Sequence, residues 1–404
     1  MSRFLLLPCN NTLSHVAKCL ALREVLEERG HEAFIAVSAA RALFLDRMGQ
    51  DRYFVLPDIQ EANSAPLPGF CWFRPERVEA CIRAEVDLLQ KLQPDGVLGV
   101  FRFTGPLSAA LADVPYDSLI CGSMTPAFTG ALGLAADEPG AREQAEAMAG
   151  FRSTCARRMR PALAALGLAP VDDAWDLLVG RRTFLWDYPE FEPLPITLGY
   201  HHVGPVQWTH WPRPEVDAGR LDKLRGPIAY VSFGTGGVPT GWLRHIVDTL
   251  WLLGYSVALA LGGQATATDF PTAPERLAVF EFLPVELVFA RASLVVCHGG
   301  QGLIFEALRQ RLPVFVLPMQ PEQAQNGLCV ERIGCGRRLL RGVVFTGQST
   351  DFETPFLACP VRHVADEIAE FLSNEQTPSQ LALASSQISR YRGTDTLATL
   401  LSNP

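Results

Sequence analysis

A histidine that ends an apolar run, with three glycines in the four residues after it, offers the clearest chemistry in the chain. The segment runs from Ser293 through His298-Gly-Gly-Gln-Gly302. The apolar run predicts a buried strand, and the residues after it predict the start of a helix. Glycines at such a junction let the backbone approach a ligand closely, and the free N–H groups of a helix start suit a phosphate. The segment therefore predicts an anion site, where His298 can donate to a diphosphate.

Acidic and amide side chains follow this segment at spacings that bring them to the same place. Glu306 lies four residues after Gly302 and shares its helix face, where a carboxylate can accept hydrogen bonds from a ribose diol. Glu322, Gln323 and Asn326 follow the next predicted strand. Ligands of open α/β sheets bind at the carboxyl edge of the strands, so we expect these groups at one site. A glycine-rich turn by itself can serve packing only, and the polar run is what favours a ligand.

A histidine in the first half of the chain is the second group suited to chemistry. His15 follows the first predicted strand at a loop–helix junction, where Ser14 or Thr12 is a suitable N-cap. An imidazole with an ordinary pKa of about 6.5 can take a proton from an attacking group at cellular pH. A capping histidine with satisfied hydrogen bonds is the alternative. Lys18, one turn later, can meet a phosphate or an acidic acceptor, or can be solvated.

Apolar runs and amphipathic segments alternate along the chain and must position these groups. The runs are continuous rather than alternating, which predicts parallel sheets covered on both faces. Predicted helices include 16–29, 77–92 and 302–309. The predicted strands are 4–7, 33–37, 53–56, 96–100, 118–121 and 183–186 in the first half, and 228–233, 256–261, 278–282, 293–297 and 314–317 in the second. Two such series predict an α/β fold of two Rossmann-like, doubly wound domains facing a central cleft.

The division between the domains follows from composition. The chain has 404 residues, which suits two domains of about 200 residues each. Residues 204–214 carry Gly-Pro and then Trp-Thr-His-Trp-Pro-Arg-Pro, which excludes regular structure. We therefore predict a first domain over 1–203, a linker over 204–226, a second domain over 227–376, and a helical tail over 377–404 that can pack back on the first domain.

The spacing of the second-half residues resembles a known signature, that of the donor site in the UDP-glycosyltransferase (family 1) superfamily of GT-B enzymes, which includes bacterial natural-product and macrolide glycosyltransferases. The resemblance covers about 30 positions. Its residues are His298, Gly300, Glu306, Pro313, Pro318, Glu322, Gln323 and Asn326. It implies that the second domain binds a nucleotide-diphosphate sugar and that the acceptor binds on the first domain.

The resemblance also implies a role for each matching residue. The diphosphate would be held by His298, by the backbone of Gly299, Gly300 and Gly302, and by the hydroxyl of Thr235. The ribose would be bound by Glu306, the base by Phe282 and Leu283, and the transferred sugar by Glu322 and Gln323. Two positions depart from the family pattern, because Leu303 replaces a Ser or Thr that faces the phosphates and Arg311 replaces a Gly. Phosphate binding would then depend more on backbone amides.

The same family places its catalytic base at the position of His15, 16 residues before His31. Its base is often oriented by an Asp, but Val100 stands at that position here. Asp113 or Asp117 can replace it only if the fold brings one of them close. Three explanations stay open: another orienting residue, an unassisted histidine, or an acceptor that supplies its own acidity.

Aromatic and apolar loops of the first half are candidates for the acceptor site. They contribute Phe70, Trp72, Phe73, Met124 and Phe128. Such side chains can line an apolar pocket, but they can equally serve as packing plugs. Kinship with natural-product enzymes implies a small, apolar acceptor.

Composition excludes several classes of protein. The net charge is −8 and no basic stripe is present, which argues against nucleic acid as a partner. No run approaches the 18 or so apolar residues of a membrane span, and the ten cysteines are scattered without a Cys-x-x-Cys pair, so we expect a reduced cytoplasmic protein. With no Asp-x-Asp and no His/Cys cluster, we expect no metal and no cofactor besides the nucleotide-sugar substrate.

The leading hypothesis is a metal-independent, inverting glycosyltransferase that moves a sugar from UDP or TDP to a small acceptor, with His15 as general base. Val100 and Leu303 keep a second hypothesis open: a catalytically divergent GT-B homologue that binds a nucleotide or supports a partner transferase. A nucleotide-sugar epimerase or hydrolase is the third, and it would need additional acid/base carboxylates near the donor. The oligomeric state is not predicted.

Overall fold

Two parallel β-sheets, one in each half of the chain, form the frame of the computed structural model. The structure describes residues 1–59, 72–194, 199–210, 216–234, 238–263, 265–339 and 353–403. Every strand pairing in both sheets is parallel. The prediction of two doubly wound α/β domains is therefore confirmed.

The first sheet has seven strands in the order β3-β2-β1-β4-β5-β6-β7. They are β1 (Arg3–Pro8), β2 (Glu32–Val37), β3 (Tyr53–Val55), β4 (Gly96–Val100), β5 (Tyr116–Ile120), β6 (Thr183–Leu185) and β7 (Tyr200–His202). Its helices are α1 (Leu13–Glu28), α2 (Ala39–Arg47), α3 (Pro75–Leu92), α4 (Gly105–Ala112) and α5 (Ala141–Ala165). The sequence analysis missed β7, whose three residues include two histidines and form no apolar run.

The second sheet has six strands in the order β10-β9-β8-β11-β12-β13. They are β8 (Ile228–Ser232), β9 (Ser256–Ala260), β10 (Leu277–Phe280), β11 (Ala292–Cys297), β12 (Val314–Val316) and β13 (Gly336–Arg338). The remaining helices are α6 (Gly219–Asp222), α7 (Thr240–Leu252), α8 (Val285–Val288), α9 (Gln301–Arg309), α10 (Pro321–Arg332), α11 (Glu353–Ala358), α12 (Val361–Leu372), α13 (Thr377–Ile388) and α14 (Gly393–Ser402). The sequence analysis also missed β13, because this strand contains two arginines and forms no apolar run.

Each sheet is buried on both faces, which explains the continuous apolar runs. In β1, Phe4 and Leu6 join the hydrophobic core on one face, whereas Leu5 and Leu7 join a separate core on the other. In β8, Tyr230 and Val231 are divided between two cores in the same way. Successive side chains of a strand point to opposite faces, so a strand covered on both sides needs apolar residues at every position.

The chain crosses between the two halves twice. After β7 it passes into the second half, and after α13 it returns, so that α14 packs on α1 and contributes Leu397 to the first core. Arg29 at the end of α1 donates to Thr399 at 2.8 Å and pairs with Asp395 at 3.2 Å. None of the helices in the described part of the chain has the length and apolar character needed to cross a membrane.

Candidate active site

The glycine-rich turn after β11 is held against helix α10 by close backbone packing. Gly299 has a φ of +97°, and a Cβ there would lie 2.6 Å from the carbonyl oxygen of Gln323. Asn326 donates from Nδ2 to the carbonyl of Gly299 at 2.9 Å. A Cβ on Gly302, by contrast, would meet no atom within 4 Å. The turn is therefore fixed on one side, and the start of α9 opens into free space on the other.

His298 stands at the end of β11 as a neutral imidazole. Burial lowers its pKa to about 4, and the backbone of Ser232 opposes this shift. Its Nδ1 has no hydrogen-bond partner among the described residues. A buried ring nitrogen without a partner is costly unless a ligand satisfies it. His298 is thus suited to donate a hydrogen bond to a bound anion.

Glu306 and Leu303 lie on the helix that follows the turn. The carboxylate of Glu306 is 3.5 Å from the guanidinium of Arg309, and its side chain is about one-third exposed. Arg309 also donates to Gln207 at 2.6 Å, and Gln207 donates to the carbonyl of Gly302 at 3.0 Å. Leu303 packs against the core of the second domain, so no hydroxyl faces the turn from that position.

The first turn of α10 brings two predicted sugar-binding residues beside the turn at His298. Gln323 accepts the backbone N–H of Met319 at its Oε1, at 2.9 Å. Glu322 has a raised pKa, caused first by burial; Lys18 lowers it and Asp187 raises it further. Lys18 belongs to α1, so α1 of the first domain lies near Glu322, a predicted sugar-binding residue.

Phe282 and Leu283 follow β10 at the carboxyl edge of the second sheet. Phe282 is 49% exposed, which is unusual for a side chain of this size. Leu283 is buried, and its carbonyl accepts the hydroxyl of Tyr230 at 3.3 Å. Two other predicted site residues, Thr235 and Phe70, lie outside the described residues.

His15 projects from the first turn of α1 and is only 7% exposed. Burial is the main cause that lowers its pKa to about 3; Lys18 and Arg41 lower it further, and the backbone of Cys9 opposes them. Its Nδ1 has no hydrogen-bond partner among the described residues. His15 is therefore a neutral ring, and no carboxylate in the part of the chain that the structure describes orients it through Nδ1.

Of the two aspartates considered as replacements for the missing carboxylate, one is paired with arginines and the other is exposed. Asp117 pairs with Arg181 at 3.4 Å and also with Arg182. Asp113 is exposed at the end of α4, where it adopts a left-handed conformation with a φ of +54°. Val100 is fully buried, and its backbone carbonyl accepts the N–H of Cys9 at 2.8 Å. Neither aspartate orients His15.

Aromatic rings contact His15 instead, and the sequence analysis missed their role. The centroid of Phe101 lies 5.5 Å from that of the imidazole, and the centroid of Trp186 lies 5.6 Å from it. Phe101 follows β4 directly, and Trp186 follows β6 directly. Both residues are apolar and directly follow a strand, so nothing in the local sequence pattern distinguishes them from core residues.

Trp186 also contacts the second domain and Lys18. Its indole N–H donates to Oε1 of Gln301, the first residue of α9. The ammonium of Lys18 lies 4.5 Å from the Trp186 ring centroid and donates to Oγ of Ser14 at 2.8 Å. Burial lowers the pKa of Lys18 to about 8, and Glu322 opposes that shift. Lys18 is therefore a half-buried cation that packs on Trp186 and interacts electrostatically with Glu322.

The predicted acceptor residues fall into two groups. Phe73 is 1% exposed and packs edge-to-face on Phe103 with centroids 5.1 Å apart, and Met124 is also buried in the first core. Trp72 and Phe128 are partly exposed and pack against the same core. The structure thus favours a packing role for Phe73 and Met124 and leaves the other two available to a ligand.

Comparisons with known proteins agree with this geometry. Residues 255–344 match the glycosyltransferase family 28 C-terminal domain. The chain is 26% identical over 342 residues to a PGL/p-HBAD biosynthesis rhamnosyltransferase of Mycobacterium bovis, covering 80% of this chain and 74% of the relative. It resembles the crystal structure of the glycotransferase of kitacinnamycin with a TM-score of 0.75 and 18% identity, over 99% of this chain and 98% of the other. It also resembles spinosyn rhamnosyltransferase SpnG complexed with thymidine diphosphate, with a TM-score of 0.68 and 18% identity, over 99% and 100% of the two chains.

The two facing sheets and these similarities define the chain as a glycosyltransferase with the GT-B fold. The similarity to the glycosyltransferase family 28 C-terminal domain is confined to residues 255–344, within the second half of the chain.

Proposed function

We propose that this enzyme is a metal-independent, inverting glycosyltransferase that moves a sugar from TDP or UDP to a small, apolar acceptor, with His15 as general base. One observation carries the proposal: Trp186 packs on His15 and hydrogen-bonds Gln301 at the start of the donor helix. The first-domain histidine and the glycine-rich turn thus face each other at the carboxyl edges of two sheets, where α/β proteins bind ligands.

The donor would lie along the edge of the second sheet. The open start of α9 and the neutral imidazole of His298 suit the diphosphate, because helix N–H groups and a ring N–H donate without adding charge. The exposed ring of Phe282 suits the nucleobase. The remaining proposed contacts are Gly299, Gly300, Gly302 and Thr235 for the diphosphate, Glu306 for the ribose, Leu283 for the base, and Glu322 and Gln323 for the sugar.

The reaction would be a direct displacement. The acceptor attacks the anomeric carbon on the face opposite the diphosphate, His15 takes the acceptor's proton, and the bond from the anomeric carbon to the diphosphate oxygen breaks. The products are the inverted glycoside and the nucleotide diphosphate, and His15 returns its proton to solvent. Hydrogen bonds from α9 and His298 would stabilise the charge that develops on the leaving group.

Relatives support a TDP-linked donor as the first one to test. The first relative is named a rhamnosyltransferase, and SpnG was crystallised with thymidine diphosphate. We therefore measure thermal stabilisation by TDP and by UDP; binding at 100 times the dissociation constant should add about 2.7 kcal/mol to the free energy of unfolding. No stabilisation by either nucleotide would contradict the donor site.

A test of the role of His15 requires an assay of turnover. With a TDP-sugar and a library of small acceptors followed by mass spectrometry, the His15→Ala variant should lose turnover while TDP still stabilises it. The matched control is His210→Ala, since His210 pairs with Glu24 in a region where its side chain is 71% exposed. Full turnover by His15→Ala would remove His15 as the base.

Because no carboxylate of the described residues orients His15, the structure also favours a second function, that of a divergent homologue that binds a nucleotide without transferring a sugar. TDP stabilisation without turnover across the acceptor library would support this function. Release of free sugar from the donor without an acceptor would instead support a hydrolase.

A further inference from the structure

Two aromatic rings pack on His15, whose Nδ1 has no side-chain hydrogen-bond partner among the described residues. The imidazole plane makes angles of 32° with the ring of Phe101 and 39° with that of Trp186, and the ring centroids are 5.5 and 5.6 Å away. Offset aromatic contacts at these separations are attractive beyond the effect of the area they bury. The two rings therefore favour one orientation of the imidazole.

Phe101 holds its position at a conformational cost. Its φ is +53°, in the left-handed region that residues other than glycine rarely adopt. The residue before it, Val100, is in regular parallel pairing with β5, so the strain begins where the strand ends. The left-handed turn directs the ring toward His15 and toward Phe103, whose centroid is 5.4 Å away. Backbone strain of this kind persists where the surrounding structure requires it, often at functional sites.

Trp186 connects His15 to the donor turn. The imidazole of His15 and the ammonium of Lys18 both lie against its ring, and its indole N–H donates to Gln301. Gln301 is the first residue of α9 and is 8% exposed, so the hydrogen bond is buried. A ligand that moves the start of α9 must therefore move or break this contact.

The polar groups around His15 include one backbone contact and two cations. The backbone of Cys9 forms a hydrogen bond that favours the protonated ring, whereas Lys18 on the same helix and Arg41 on α2 disfavour an imidazolium. No side chain of the described residues is a hydrogen-bond partner of Nδ1. Among side chains, the aromatic neighbours are therefore the ones that position the ring.

We propose that Phe101 and Trp186 are positioning residues that together take the place of the orienting carboxylate, and that Trp186 also couples His15 to the donor turn through Gln301. This inference rests on the proposed role of His15 as base. It predicts that donor binding changes the surroundings of His15 before any acceptor is present.

The first experiment tests the ring contact. Phe101→Leu keeps apolar volume and removes the aromatic face, and we expect kcat to fall about tenfold, with KM for both substrates unchanged, because an orienting contact acts on the transition state. Phe34→Leu is the matched control, since Phe34 packs on Phe54 with centroids 5.7 Å apart in the core on the other face of the first sheet. An unchanged kcat in Phe101→Leu, or an equal loss in Phe34→Leu, overturns the positioning role.

The second experiment tests the coupling without turnover. His15 is followed by NMR of histidine-labelled enzyme, with its signal assigned through His15→Gln. We expect TDP to shift the His15 signal in the wild type, and the shift to disappear in Trp186→Phe and in Gln301→Leu although TDP still raises the melting temperature of both. The double variant should behave like either single one.

The outcomes separate this inference from the proposed function. If TDP binds the wild type and leaves the His15 signal unchanged, or if Trp186→Phe keeps the full shift, the coupling is wrong even when His15→Ala is inactive. If His15→Ala keeps full turnover, the proposed base is wrong, whatever the NMR experiment shows.

Discussion

The carboxylate of Glu138, in the loop before α5, lies 2.7 Å from the guanidinium of Arg338 at the end of β13. Arg338 is 3% exposed and also pairs with Glu331 at 2.6 Å and donates to the carbonyl of Gly133. The backbone N–H of Gly133 donates to Gln325 in α10 at 2.9 Å. A first-domain loop is thus docked on the second domain beside the helix that carries the proposed sugar-binding residues.

We expect Glu138→Gln to destabilise this docked arrangement. Removing one partner of a buried ion pair can cost about 3–5 kcal/mol, but Glu331 still faces Arg338, so about 1–2 kcal/mol is expected. The measurement is the free energy of unfolding in urea. Glu146→Gln is the control, because the pair between Glu146 and Arg142 is exposed and should contribute close to nothing. Equal effects of the two substitutions would contradict a special role for the docked loop.

Gly133 should tolerate no side chain, because the loop approaches α10 closely there. It has a φ of +81°, and a Cβ would lie 2.3 Å from the Cβ of Ala324. Gly30→Ala provides the comparison, since Gly30 has a φ of +80° and its Cβ would meet nothing within 4 Å. Both alanines bear the left-handed strain of about 1–2 kcal/mol. Only Gly133→Ala should also shift α10, and we expect it to weaken TDP-sugar affinity in a calorimetric titration, whereas Gly30→Ala leaves that affinity unchanged.

The pH dependence of catalysis should reflect the depressed pKa of His15. A base must be neutral, and with a pKa of about 3 in the free enzyme it stays neutral down to low pH. We therefore expect kcat/KM for the donor to show no fall from His15 between pH 7 and pH 5, whereas a base with an ordinary pKa of about 6.5 would lose activity there.

Lys18 supplies the variant that tests this assignment. Removing its ammonium in Lys18→Met should raise the pKa of His15 and move the acid limb of the profile to higher pH, because one positive neighbour is lost. Lys91→Met is the control, as Lys91 lies exposed at the end of α3. A profile that is identical in wild type and Lys18→Met would mean that another group titrates.

The proximity of the proposed donor residues could be predicted from the sequence because they belong to one continuous strand–helix–strand–helix unit. His298 directly follows β11, Glu306 lies on α9, and Glu322 lies in the first turn of α10, so local geometry brings them to one edge. The surroundings of His15 could not be predicted. Phe101 and Trp186 come from the ends of β4 and β6, and their approach to His15 depends on the order of strands in the first sheet.

The short strands at the sheet edges show the same limit. In β7 and β13, hydrogen bonds to one neighbouring strand stabilise segments rich in histidine and arginine, so no apolar run marks them. The ion pair between Glu138 and Arg338 could not be predicted from the local sequence either. A charged residue in a loop is expected to be solvated until its partner in the other domain is known.

The exposed ring of Phe282 should contribute to nucleotide affinity. Stacking of a base on an aromatic side chain is worth about 1–3 kcal/mol, so Phe282→Ala should weaken TDP binding by about tenfold or more. The unfolding free energy should change little, because the ring is 49% exposed. Leu252→Ala, at the 57% exposed Leu252 on α7, is the control and should leave the affinity of TDP unchanged. Unchanged TDP affinity in Phe282→Ala would exclude Phe282 from the base site.

Glu192 should make the stability of the enzyme depend on pH near neutrality. It is 2% exposed; Nε2 of Gln325 donates to it at 3.1 Å and the thiol of Cys329 at 3.2 Å. Burial, and then Asp187, raise its pKa to about 7, while Gln325, Cys329 and Arg332 oppose the rise. The pKa of Glu192 is higher in the folded than in the unfolded chain. Its contribution to the free energy of unfolding is therefore fully present below about pH 4.5 and is lost as pH rises toward 7.

Glu192→Gln removes this titration and keeps an acceptor oxygen and similar volume. The variant should therefore gain stability relative to the wild type at pH 8, by on the order of 1–3 kcal/mol more than at pH 5, in urea unfolding measured at both pH values. Glu28→Gln, at an exposed position near the end of α1, should show no such difference. The same relative stability of Glu192→Gln at pH 5 and pH 8 would show that Glu192 is ionised in the folded enzyme throughout this range, so that Gln325 and Cys329 donate to a carboxylate rather than to a neutral acid.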